Sequence, residues 1–450
     1  MSLLILGYYF LVLFINLTVM ALSFLQVGRK MRVVSAGADL REEALEPVSI
    51  LVPAFNEQAT ILDTVHSLLQ QDYPEFEIIV INDGSKDDTL KLLREAYDLK
   101  TLESAWGDEL PCGRIRQAFI SETHRNVVVI DKENGGKADA LNAGLNTARF
   151  PLVCCVDADG LLERDGLKRL ACPFARDDRV VAAGGMVRPI NGCEIQDGRI
   201  KAVHLPERLT ERVQVAEYMR AFLSGRFGWE RTNGLLIISG AFGMFRKAVL
   251  MDLGGYARTV GEDMELTLRL HHAMLDRKEP YRIAMAVDAV CWTQVPERLR
   301  DLRTQRVRWH RGLADALWRH RGMLLRPRYG MVGMAALPVF WFVEWMGPII
   351  ELTGYLIFLL LLITGHMTAS ALTLFLMAYL YGLVQSLMAV IAEDRLSRSY
   401  LDSGDGLRLV LICLIEPLLY RLLVTFWRCT ALVPRKKRAD WGSISRKGFS

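Results

Sequence analysis

Residues 3–27 (LLILGYYFLVLFINLTVMALSFLQV) carry no charged side chain, and Arg29, Lys30 and Arg32 follow at once. An apolar run of this kind is long enough to cross a bilayer, so a wholly soluble fold is excluded. A cleavable signal would place its basic residues before a shorter apolar core. Here they come after, and the reading is an uncleaved span with the following segment in the cytoplasm. From Met331 to Ala392 the chain is again almost wholly apolar. A turn-like break at Gly365-His366-Met367-Thr368 predicts two spans, 347–364 and 370–392. The stretch 331–346 holds Pro338, Trp341, Glu344 and Trp345, and reads as a short interfacial helix or the start of a tilted span. The segment 407–433 carries Arg408, Glu416, Pro417, Arg421 and Arg428. Charges within a span are expensive, and a full third span would put the basic run 435–438 outside, so an interfacial or re-entrant path is expected there; the alternatives are a third span or an extra crossing within 331–363.

Between the apolar ends the pattern changes. VSILVPAF (48–55), FEIIVIND (76–83), NVVVIDK (126–132) and LVCCVDAD (152–159) are short β-branched runs. Each precedes a helical period: Gln58–Gln71, Asp87–Leu99, Lys137–Ala148 and Arg164–Phe174. Strands without polar alternation, joined by helices, predict a parallel sheet covered on both faces. Ligands of such sheets bind at the carboxyl ends of the strands. Those ends are Asn56-Glu57, Asp83, Asp131 to Lys137, and Asp157-Ala158-Asp159. A single carboxylate at such a place is most simply a helix cap. A carboxylate at every one of the four ends is harder to assign to capping alone.

Other chemistries fit poorly. No G-x-G-x-x-G follows the first strand, and Gly135-Gly136-Lys137 lacks both the spacing and the Ser/Thr of a phosphate-binding P-loop. The eight cysteines form no C-x-x-C pair and no Cys/His metal spacing, so they read as small core residues. A net charge of +4 gives a nucleic-acid partner no support. Asp157 and Asp159, one residue apart at a strand end, suit a hard divalent ion that bridges phosphate oxygens. Glu262 and Asp263 open a helix, where a carboxylate also complements the helix dipole. Gln305, Arg308 and Trp309 share one helix face, within a segment rich in arginine that also suits a membrane surface.

Pro53–Glu57 (PAFNE), Asn82–Ser85 (NDGS), Gly135–Lys137, Asp157–Asp159, Ser239–Gly243 (SGAFG), Gly261–Asp263 and Gln305–Trp309 (QRVRW) follow one another between the apolar ends. Together they resemble family-2 glycosyltransferases, in the membrane-embedded, processive branch of cellulose, chitin, hyaluronan and poly-N-acetylglucosamine synthases. The resemblance implies an α/β fold of the GT-A type: a mixed, mainly parallel sheet with helices on both faces, plus transmembrane and interfacial helices at both ends. The expected parts are a span with basic flank at 1–32, a cytoplasmic transferase domain at 40–295, a basic interfacial segment at 296–330, a membrane region at 331–433 and a basic tail at 434–450. It places the protein in the plasma membrane.

The same resemblance implies roles. Pro53, Glu57, Asp83, Lys137, Asp157 and Arg308 would hold the nucleotide of a UDP-sugar, and Asp159 with Asp157 would hold Mg2+ or Mn2+. Asp263, beside Glu262, would be the base. Gln305, Arg308, Trp309, Gly240 and Phe242 would meet a glycan or lipid acceptor; separately, their place in the apolar segments lets Glu344, Glu351 or Glu416 line an export route. Gly261 stands where many members have Thr. The expected function is inverting transfer to a growing β-linked polysaccharide, coupled to export with or without accessory subunits. The rivals are transfer of one sugar to a lipid and a catalytically dead scaffold.

Overall fold

The β-branched runs fold as strands, and the helical periods between them fold as helices. The structure is a computed structural model, and it describes residues 2–35, 44–103, 107–396, 400, 404–432 and 448. The chain divides into two units: Asp39–Ala202 with Leu236–Gln294, and Met1–Ala38 with Val203–Leu235 and Val295–Lys437. Residues 203–235, inside the stretch expected to be one domain, thus group with the terminal segments.

The first unit is built on β1 (Val48–Ala54), α1 (Ile61–Leu69), β2 (Phe76–Asn82), α2 (Thr89–Ala96), β3 (Leu99–Leu102), β4 (Ile115–Ser121), β5 (Val127–Lys132), α3 (Lys137–Thr147) and β6 (Leu152–Val156). It continues with β7 (Gly160–Leu162), α4 (Gly166–Arg176), β8 (Val180–Pro189), the hairpin β9 (Glu194–Gln196) and β10 (Arg199–Ala202), β11 (Phe242–Arg246), α5 (Lys247–Asp252), α6 (Glu262–Arg277) and β12 (Arg282–Thr293). The main sheet has the order β3-β4-β5-β2-β1-β6-β11-β8-β12-β7. β3, β5, β2, β1, β6, β8 and β12 run one way, and β4, β11 and β7 run against them. The sheet is therefore mixed and mostly parallel in direction. β1, β6 and β8 are buried along their whole length, which is why their sequences show no polar alternation.

Register decides what lies beside what. β11 pairs antiparallel with β6, Phe242 opposite Val156. The residues just before β11 therefore reach the strand end that carries Asp157-Ala158-Asp159. β12 pairs with β7 through Thr293 and Gly160, which puts Thr293 beside Asp159. Phe242 itself is wholly buried. Its ring crosses Gly185, where a Cβ would lie 2.1 Å from a ring carbon.

In the second unit an N-terminal helix, Ser2–Ser35, packs on the short helix Phe227–Glu230. The backbones approach closely at Gly228, where a Cβ would lie 2.3 Å from the Val19 carbonyl. Val332–Ile363 and Ala369–Arg395 are long and apolar enough to cross a membrane. The stretch 331–346 is thus not separate: it joins the first of these through wide turns at Val332–Ala336 and Phe340–Trp345. Pro338 and Pro348, which lack an N–H, lie close to those turns. Among the described residues the N-terminal helix offers Phe10–Gln26 as a shorter apolar stretch. Segment 407–433 forms two helices, Gly406–Ile415 and Tyr420–Ala431, bent by 53° at the break. The basic tail lies outside the described residues except for Gly448.

Each carboxylate expected along an export route has an arginine partner. Arg220 pairs with Glu416 at 2.7 Å and also reaches Ser386; Arg421 pairs with Glu351 at 2.9 Å, and Arg428 with Glu344 at 3.4 Å. Ion pairing of this kind is what makes a charge tolerable in an apolar helical segment.

Gly185→Ala is expected to destabilise the sheet unit by about 1–3 kcal/mol, because the buried Phe242 ring has nowhere to retreat. A thermal melt of the purified protein reads this as a lowered midpoint. An unchanged midpoint would show that the ring shifts freely.

Candidate active site

The loop between β5 and α3 is fixed by a buried charge. The Asp83 carboxylate, at the end of β2, is almost fully buried. It accepts hydrogen bonds from Lys132 Nζ at 2.6 Å and from the backbone N–H groups of Gly135 (3.0 Å) and Gly136 (2.8 Å). Gly136 has φ 89°, a backbone that favours glycine, and it caps α3. Lys137 is then the first residue of that helix.

Lys137 is the centre of the site. Its Nζ lies 2.6 Å from Asp157 Oδ1, 3.4 Å from Glu262 Oε1 and 3.2 Å from the Gly240 carbonyl. Burial alone would lower its pKa, but Asp157 and Glu262 outweigh burial and raise it, so Lys137 stays an ammonium. Glu262 is raised above the ordinary glutamate range, first by burial, with Asp263 and Asp157 adding to the effect and Lys137 opposing it. Asp263 Oδ1 accepts the Met264 N–H at 2.8 Å, and Oδ2 accepts the Gly240 N–H at 3.4 Å. A Cβ on Gly240 would lie 3.0 Å from Lys137 Nζ. A side chain there would crowd the ammonium and press it to shift by a few tenths of an ångström. A small cavity beside this cluster is lined by Gly240, Glu262, Asp263, Tyr256 and Cys155. Burial pushes the Cys155 thiol up to about 12, so it is a packing group and not a nucleophile.

The structure thus brings Lys137, Asp157, Gly240, Glu262 and Asp263 together. Asp159 sits next to them in sequence, buried, and accepts a hydrogen bond from Thr293 Oγ1 at 3.1 Å. Pro53 lies within β1. Glu57 is buried and accepts from Thr60 Oγ1 at 3.0 Å. Phe242 belongs to the sheet interior, as its burial over Gly185 shows.

Gln305, Arg308 and Trp309 lie on the helix Leu299–Arg319 of the other unit, as their spacing predicts. The buried anchor there is a residue that the motif treats as variable. Arg306 donates to Gln305 Oε1 at 2.7 Å and to Glu217 Oε2 at 2.6 Å, and stands 4.2 Å over the Trp309 ring. Trp309 is 44% exposed. Lys132, Asp139 and Arg258 also bear on the site, and no motif gives them a role. The only signal for Lys132 is its place at the end of an apolar strand.

Among the described residues no group of three or more His, Cys, Asp or Glu is arranged to hold a metal ion. Asp157 and Asp159 are hard oxygen donors. By donor chemistry they fit Mg2+ or Mn2+, ions that keep most of their coordination for phosphate and water.

Residues 49–254 match the family model Glycosyl transferase family 2, and residues 152–385 match Glycosyl transferase family group 2. The chain belongs to glycosyltransferase family 2. It is similar to the poly-beta-1,6-N-acetyl-D-glucosamine synthases of Staphylococcus aureus (31% identical over 284 residues, 62% of this chain and 58% of the relative) and Staphylococcus epidermidis (30% over 278 residues, 62% and 57%). The matches therefore span less than two thirds of those relatives' lengths. Among solved structures, a mannosyltransferase from Pyrobaculum calidifontis, in complex with GDP-Man and Mn2+, superposes with a TM-score of 0.50 at 19% identity, over 91% of this chain and 99% of that one. At that identity the likeness is one of fold.

Ionised Glu262 helps to hold Lys137, so its protonation should slow transfer. Because its pKa is raised, the acid limb of the kcat/KM profile should lie above the ordinary Glu value of about 4.3. In Glu262→Gln that limb should move to lower pH. An unmoved limb would show that another group sets it.

Proposed function

We propose that this protein is an inverting, membrane-embedded glycosyltransferase that moves a sugar from a UDP-sugar to a growing β-linked polysaccharide. The observation that carries the reading is the convergence of Asp157, Glu262 and Asp263 on Lys137 at the strand ends of a family-2 fold. The similarity to poly-beta-1,6-N-acetyl-D-glucosamine synthases favours a polymer over a single transferred sugar. The two apolar helices favour a membrane setting, with the transferase unit on the cytoplasmic side, where the nucleotide sugars are.

A sugar hydroxyl is a poor nucleophile at neutral pH. Asp263, held by the Met264 and Gly240 N–H groups, accepts its proton as the oxygen attacks the anomeric carbon. The C1–O bond to the diphosphate breaks as the new one forms. Charge develops on the departing phosphate, and Lys137 stabilises it. Asp159, with Asp157, would hold Mg2+ or Mn2+, which supplies further neutralisation of the diphosphate. Glu57 and Asp83 border the uridine side, Asp83 through the Gly135-Gly136 loop that it holds. Base and leaving group on opposite faces mean one displacement and inversion. Gln305, Arg308 and Trp309 serve the acceptor and the diphosphate, the half-exposed indole offering an apolar face to a sugar ring.

Membranes carrying the protein should release UDP from one member of a UDP-sugar panel in the presence of Mg2+ or Mn2+, and the product should size as a ladder or polymer. A single glycolipid would favour the lipid-acceptor reading. Asp263→Asn should lower transfer at least about a thousandfold, the upper part of the usual range for loss of a general base with its supporting contacts. UDP should still bind. Near-normal turnover would refute the base assignment.

A further inference from the structure

Lys132 has both of its charge partners inside the sheet unit. Its ammonium is wholly buried and lies 2.6 Å from Asp83 and 2.6 Å from Asp139. It also donates to the Glu133 carbonyl at 2.6 Å, which uses all three of its N–H bonds. Asp139, in the first turn of α3, is as deeply buried. Its carboxylate accepts the Gly113 N–H at 2.8 Å and pairs with the Arg258 guanidinium. Two carboxylates and two cations alternate in one linear chain, Asp83–Lys132–Asp139–Arg258. Gly135 lies against it so closely that a Cβ would be 2.3 Å from Asp139 Oδ1.

The two ends of this chain touch different parts of the site. Asp83 holds the loop that delivers Lys137. Arg258 belongs to the segment that leads, three residues later, into Gly261 and the start of α6. That segment has a second tie to α3: the Asn142 side chain accepts the Tyr256 N–H at 2.7 Å and donates to the Tyr256 carbonyl at 3.1 Å. α3 therefore carries Lys137 at its first residue, and Asp139 and Asn142 within its next turns. One rigid helix spaces the cation from the segment that supplies Glu262 and Asp263.

We infer that Asp139 and Arg258 are positioning residues, which set the place of Asp263 relative to Lys137 by pinning residues 256–258 to α3. The inference rests on the proposed transferase reading, since it assigns Asp263 and Lys137 the two sides of one reaction. Neither Asp139 nor Arg258 lies among the groups that contact the reacting atoms. Their effect passes through backbone that they hold. A displacement of about 1 Å in a catalytic group costs on the order of 100-fold in rate. Loss of such a tie is therefore expected to show in turnover before it shows in nucleotide affinity.

Arg258 suits the test, because its side chain is 68% exposed while its partner is buried. Arg258→Met keeps the stem and removes the charge. The expected result is at least a tenfold fall in kcat, UDP affinity within about twofold of wild type, and recovery of at least a third of kcat in Arg258→Lys. Amide hydrogen exchange should quicken across 256–264 and stay unchanged across β2, which checks the pinning without any turnover. Unchanged kcat in Arg258→Met, or kcat and UDP affinity falling together, overturns the proposal. Unchanged exchange across 256–264 also overturns it. If wild-type protein transfers no sugar from any donor yet exchange quickens as expected, the transferase reading has failed and the pinning has not.

Discussion

A single buried ammonium carries much of this architecture. Lys132 can be dehydrated only because Asp83 and Asp139 both lie 2.6 Å away. Those carboxylates in turn can be buried only because Lys132, Arg258 and the N–H groups of Gly113, Gly135 and Gly136 satisfy them. Removing one partner from such an arrangement leaves an uncompensated buried charge, at a cost of about 3–5 kcal/mol. The loop before α3 is consequently stiff, and Lys137 leaves it in a defined direction.

That stiffness shapes the chemistry. Lys137 stands among Asp157, Glu262 and the Gly240 carbonyl. In the proposed reaction the phosphate oxygens of the leaving group would replace partners of the same sign around Lys137. Asp263 is held by two backbone N–H groups, from α6 and from the segment before β11. The antiparallel register of β11 on β6 brings that segment to Asp157. Sheet register, helix start and buried ion chain thus converge on one place. The second unit uses the same physics: its acidic residues Glu344, Glu351 and Glu416 are each tied to an arginine.

Much of this was legible in the sequence. β1, β2, β5 and β6 show as uninterrupted apolar runs because both faces of the sheet are covered, and α1 to α4 follow them at the expected places. Carboxylates do stand at the ends of β2 and β6, as the runs predict, and Asp157 meets Lys137 there. Less legible were β8, β11 and β12, whose small residues, such as Ala182, Ala183 and Gly184, give weak strand signals and whose order in the sheet is set by long-range pairing. The role of Asp83 as a buried strut was hidden, because its partner Lys132 looks like an ordinary strand-end cation. The resemblance gives Phe242 an acceptor role, whereas its ring lies buried against the bare backbone of Gly185 on the neighbouring strand β8. Arg306 was overlooked because the motif fixes its neighbours and not itself.

The central claim is that Asp263 and the Lys137 cluster act on opposite faces of one anomeric carbon. The most direct test is the configuration of the product formed from an α-linked UDP-sugar, read by NMR from the anomeric proton coupling. A β-linked product formed without a covalent intermediate is the predicted result. An α-linked product, or a sugar trapped on a side chain of this site, would contradict the account.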